Sequence, residues 1–137
     1  EINRALRQMH PNVVAQTERR IADLGGQVSR DPATDMLAVN REFTASIVLA
    51  RCNQLDSGSH RWRVRFDTSL QPDITVAVRL EPSNRTALDY YLLPRLDFNE
   101  ARLSLTDHNS IEVESYRFET LDYLYAMTER ARVRMAA

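Results

Sequence analysis

The sequence predicts an α+β fold: a curved, mostly antiparallel or mixed β-sheet of roughly five to seven strands, with an N-terminal and a C-terminal helix packed on it. Three observations predict it. Apolar residues recur every three or four positions at both ends of the chain. The middle alternates apolar and polar residues with a period of two, and short clusters of Asp, Pro, Ser, Asn and Gly punctuate it. Strands joined by such short turns must be antiparallel neighbours. A chain of 137 residues, 43% hydrophobic and 27% charged, suits one packed domain spanning residues 1–137.

Taken in order, residues 2–9 and 12–24 carry helical stripes: Ile2, Leu6 and Met9, then Val13 or Val14, Thr17, Ile21 and Leu24. Pro11 restarts the helix and Gly25-Gly26 stops it. Strands are expected at 27–30 and 36–39, around the turn cluster Asp31–Asp35, and at 43–52, rich in β-branched residues. Residues 60–66 and 73–80 alternate cleanly, 88–93 are apolar and aromatic, and Leu103 and Leu105 mark a short edge strand. Residues 114–134 return to helical period, with Ser115 as cap and Phe118, Leu121, Leu124 or Tyr125, Thr128 and Ala131 as the apolar stripe.

Composition removes several kinds of chemistry. No apolar run is long enough to span a membrane, and the first residues lack a signal-peptide layout. The expectation is a cytoplasmic domain cut from a longer or processed protein. Cys52 is the single cysteine, so no internal disulfide forms, and its apolar surroundings predict a packed thiol. All 18 basic residues are arginine; lysine-based Schiff-base and phosphate chemistry is therefore ruled out. The three glycines form no nucleotide-cradling loop, and His10, His60 and His108 fall in no metal-ligand spacing. A net charge of −1 gives no global attraction to nucleic acid, so any such surface must be a local patch.

One patch is legible. In Arg61-Trp62-Arg63-Val64-Arg65-Phe66, alternation puts Trp62, Val64 and Phe66 on the core face and Arg61, Arg63 and Arg65 on the other. Their roughly 7 Å repeat matches the spacing of phosphates along one nucleic-acid strand. Cross-strand ion pairing with acids such as Asp67 or Glu81 is the competing fate. Arg51 and Arg79 are candidate helpers, although an Arg79–Glu81 surface pair is also expected. Asp73 and Glu81 lie too far apart on one strand to share a cation.

The segments Asp35-Met36-Leu37-Ala38-Val39-Asn40, Thr44–Arg51, Asp73–Val78 and Tyr90-Tyr91-Leu92-Leu93-Pro94 follow the cadence of a known family. The chain resembles the PD-(D/E)xK nuclease-like fold over about half its length. With Tyr116–Asp122 added, it also resembles the C-terminal region of some proteobacterial recombinases. The nuclease resemblance matches Asp35 to the family's first acid and places the family's Glu-x-Lys within Ser46–Arg51, which holds neither acid nor lysine. Arg51 could replace the lysine's charge, and Glu42 could supply an acid only through a register slip.

These readings leave three expectations. The first is a non-catalytic DNA-associated domain of a bacterial mobile-element or recombination protein, contacting phosphates through Arg61, Arg63, Arg65, Arg51 and Arg79. The second is an assembly module that docks on a protein partner or a second copy. The third is a divergent nuclease that uses Asp35 and Glu42 with Mg²⁺ or Mn²⁺.

Overall fold

The computed structural model describes the backbone of residues 2–136 and the side chains of residues 2–130. Two helices open the chain, α1 (Ile2–Met9) and α2 (Pro11–Asp23). Pro11 stands at the first position of α2, where its missing N–H is no loss. Nine strands follow: β1 (Val28–Arg30), β2 (Leu37–Val39), β3 (Phe43–Ala50), β4 (Cys52–Gln54), β5 (His60–Arg65), β6 (Ile74–Leu80), β7 (Ala87–Pro94), β8 (Arg102–Thr106) and β9 (Arg117–Phe118). A single turn, α3 (Ile111–Glu114), precedes β9, and α4 (Leu124–Ala136) closes the chain.

The α+β class is as expected, but the strands form two sheets. The larger runs β1-β2-β3-β6-β7-β9 and the smaller β4-β5-β8. Every pairing is antiparallel except β3 with β6, which run parallel from Ala45↔Ile74 to Ala50↔Arg79. A parallel pair needs a crossover. Here the hairpin β4–β5 makes it, on the face of the large sheet opposite the helices. Asn84 fixes the corner that launches it, accepting from Cys52 N (2.7 Å) and donating to Cys52 O (3.2 Å).

Two cores result. Ala45, Ile47, Leu49, Val76 and Val78 pack with Val13 and Ile21 of α2 and with Leu124 and Met127 of α4. Val48, Ala50, Ala77, Tyr91 and Leu93 pack with Trp62, Val64 and Leu105 of the small sheet. Burial on both faces explains why every residue of β6 is buried despite its alternating sequence.

The C-terminal expectation needs correction. Residues 114–134 are not one helix: Ser110, not Ser115, accepts from Val113 N as the cap of α3. Arg117 and Phe118 pair with Tyr91 and Tyr90. The edge of β7 offers unpaired backbone groups, and satisfying them outweighs local helical period. The helix begins only at Leu124; the side chains of Ala131, Arg132 and Arg134 lie outside the described residues.

Candidate functional site

Asp35 closes the turn between β1 and β2. Its N–H donates to Asp31 O (2.7 Å), and its backbone is left-handed (φ 61°), a conformation that Asp tolerates better than most residues. Continuing the Leu37↔Ala45 register by two residues sets Asp35 level with Ile47 of β3. Arg7 of α1 reaches both: Nη2 lies 3.4 Å from Asp35 Oδ2 and Nη1 donates to Ile47 O at 3.3 Å. Arg4 Nε lies 4.0 Å from the same carboxylate oxygen. A cleft of about 340 Å³ opens here, lined by Arg4, Arg7, Glu18, Arg30, Asp35 and Ile47 among others. Its second acid, Glu18, is paired with Arg30 at 2.8 Å.

Ile47 and Leu49 share the core face that a Glu-x-Lys pair would need beside Asp35, and they are 3% and 0% exposed. Glu42 is not brought to this cleft. It follows the left-handed Asn40 and Arg41 in the β2–β3 hairpin, its N–H on Val39 O. The length of β2 separates it from Asp35 by more than about 12 Å at ~3.3 Å per residue. Among the described residues no three His, Cys, Asp or Glu side chains come together as metal ligands. Mg²⁺ or Mn²⁺ does not fit this donor set: the cleft's two carboxylates, Asp35 and Glu18, are each already paired with an arginine.

The second cluster is on the small sheet. Trp62 and Val64 are buried, and Arg61, Arg63 and Arg65 are half-buried on the opposite face, as alternation requires. Antiparallel partners share a face, so Asn53 of β4 and Arg102, Ser104 and Thr106 of β8 join them. That face holds four arginines and no acid. None of the four makes an ion pair with another described residue. Arg65 and Arg102 stand directly opposite each other, an arrangement that costs roughly 0.2–1 kcal/mol. Arg102 was missed from sequence, although the alternation of Leu103 and Leu105 implies that it faces outward.

The two proposed helpers separate. Arg51 is exposed at the corner between β3 and β4, close enough to His10 to help depress its pKa, an effect due first to burial. Arg79 is not available to a ligand, and it does not pair with Glu81. It is 8% exposed, donates twice to Asp89 (2.8 and 2.5 Å), and lies over the rings of Trp62 (4.4 Å) and Tyr91 (5.4 Å). Arg117 also approaches Asp89 (3.5 Å), and Glu114 receives Arg117, Asn109 and Tyr91. This network joins the large sheet to the small one.

The two clusters meet at the start of α1. Asn3, buried, donates to the carbonyl of Arg65 at 2.8 Å, and the next residue, Arg4, belongs to the Asp35 cleft.

The fold is thus a mixed sheet entered from paired helices, with an acid at the turn before its second strand. The solved structure of a bacterial homing endonuclease, I-Ssp6803I, shares it, with a TM-score of 0.57 over 93% of this chain and 94% of that one. The two are 13% identical, so the likeness is one of fold. No protein-family model and no curated protein matches the sequence.

Proposed function

We propose that this chain is a non-catalytic, DNA-associated domain, a nuclease-like fold of the PD-(D/E)xK kind whose cleavage site has been filled by apolar residues and arginines. The observation that carries the reading is the outer face of the small sheet. Four arginines without acidic partners, two of them facing each other across strands, are unfavourable for the free protein. They become favourable when a polyanion lies over them. The roughly 7 Å repeat along β5 fits successive phosphates of one strand. That the fold is shared with a homing endonuclease supports DNA as the polyanion, and a recombination or mobile-element setting is consistent with it. Ile47 and Leu49 offer nothing to hold a cation or orient water, which supports a binding role over hydrolysis.

Four neutralised phosphates predict that log K falls with log salt at a slope near −3.6 for duplex DNA, about a 150-fold loss between about 50 and 200 mM. Arg63→Glu should weaken binding at least tenfold and flatten that slope. Fluorescence anisotropy with duplex DNA across a salt series measures both. Equal affinity of wild type and the Arg61→Ala/Arg63→Ala/Arg65→Ala protein would remove the proposal. Mg²⁺- or Mn²⁺-dependent cleavage that disappears in Asp35→Asn would overturn its non-catalytic part.

A further inference from the structure

We propose that the cavity at the end of the arginine face takes one unstacked nucleobase, preferentially one bearing an exocyclic amine. This rests on the DNA-binding reading and extends it from phosphate to base.

The placement follows from the chain path. β5 ends at Arg65 and β8 begins at Arg102. The segment leaving β5 and the segment entering β8 are tied together by Phe66 N–H to Ala101 O (2.9 Å), and they form the walls of a cavity of about 400 Å³. Phe66 projects to the face opposite the arginines, so a strand laid along Arg61, Arg63 and Arg65 reaches the cavity by turning over the end of β5.

The lining suits a base and not a phosphate. Phe66 and Phe98 are near-parallel, with centroids 5.8 Å apart and planes at 21°. Tyr116 holds Phe98 edge-on at 4.9 Å, and its hydroxyl is fixed to Asp97 at 3.0 Å. This is an ordered aromatic wall, the kind of surface on which bases stack regardless of sequence. Around it stand Gln71, Arg95 and Asn99, all exposed, with the acids Asp67 and Glu100. Two carboxylates against one guanidinium repel a phosphate but accept from the amino groups of adenine, cytosine or guanine. Gln71 is held at φ 48°, a left-handed backbone that is uncommon outside Gly, Asn and Asp.

The test uses short oligonucleotides carrying 2-aminopurine, in three arms: single-stranded, fully paired, and duplex with the probe opposite an abasic site. Leaving its neighbouring bases, whose stacking quenches it, for Phe98 should brighten the probe about threefold in the single strand. Brightening in the abasic duplex as well would identify extrusion from a duplex as a second source of the base. Phe98→Leu keeps an apolar side chain but removes the ring; it should weaken single-strand binding about tenfold while duplex affinity and its salt slope stay unchanged. Asn99→Ala, at an exposed position, should narrow the preference for oligo(dA) over oligo(dT). A thermal melt of each variant confirms that the domain is folded. Salt-dependent duplex binding with no brightening in any arm overturns the base site and leaves the phosphate reading standing. Absence of binding to every strand form overturns both.

Discussion

Replacing Asp89 with asparagine leaves a guanidinium in the core with no counter-charge. The Asp89 side chain is 3% exposed and accepts from two nitrogens of Arg79, whose own side chain is 10% exposed. Removing one partner of such a buried pair costs about 3–5 kcal/mol, because the other charge stays desolvated. Arg117, a second cation on the same carboxylate, cannot replace its charge; 3.5 Å away and 38% exposed, its own pair with Asp89 contributes ~1 kcal/mol or less. For a domain of this size each kcal/mol lowers Tm by about 3–5 °C, so Asp89→Asn should melt about 9–25 °C below wild type by circular dichroism. Trp62 reports the same event locally. Its indole N–H donates to Leu80 O at 2.7 Å and its ring carries Arg79, so its emission should shift red before the global transition. Arg117→Ala should change stability by ~1 kcal/mol at most. The apolar double variant Arg79→Met/Asp89→Leu should recover most of the loss, since no charge is then left buried. A melt of Asp89→Asn within about 3 °C of wild type would refute this account. So would a double variant no more stable than the single one.

Three other outcomes follow from the same contacts. Burial raises the Tyr91 phenol well above its ordinary pKa, with Arg79 opposing and Glu114 reinforcing. Its contribution is therefore intact below pH ~10 and lost as pH rises above it, and Tyr91→Phe should show a shallower alkaline loss in urea titrations. Glu114 runs the other way: burial pushes its pKa up, but hydrogen bonds from Asn109, Arg117 and Tyr91 outweigh this and hold it low. Its contribution is present above pH ~4.3 and lost as pH falls below, so Glu114→Gln should flatten the acid limb. Burial, then the charge of Asp107, raises the Cys52 thiol, with Arg79 opposing, and a disulfide reagent at pH 8 should label it at least about tenfold faster after denaturation.

Local period located most elements, because helix and strand patterns are written in nearest neighbours. α1, α2 and the strands bearing Arg61–Arg65 and Ile74–Leu80 fall where the sequence placed them. It could not tell that β6 lies in mid-sheet beside β3, because a parallel partner leaves no turn to read. That is why Arg79, polar in an alternating pattern, was taken as exposed, whereas a second layer covers it. The outward set of β5 was legible, since Trp62 and Val64 fix which face is buried. Its extension through Arg102 depends on strand pairing, which sequence period does not encode. The helix expected from residue 114 failed for a related reason: β7 had an edge to satisfy, and Arg117 and Phe118 satisfy it.

The near balance of 18 basic and 19 acidic residues conceals how they are distributed. Several arginines meet acids: Arg7 at Asp35, the exposed Arg30 at Glu18 and the buried Arg79 at Asp89. Each of these is explained by the fold itself. The outer face of β4-β5-β8 breaks that pattern, with four arginines and no acid at any paired position. Stability cannot account for it, because the Arg65–Arg102 juxtaposition opposes folding. The hydrogen bond of Asn3 to the Arg65 carbonyl ties the start of α1 to the end of β5. The proposed DNA contact would use the arginine surplus, because a polyanion laid over the face supplies the counter-charge that the fold does not.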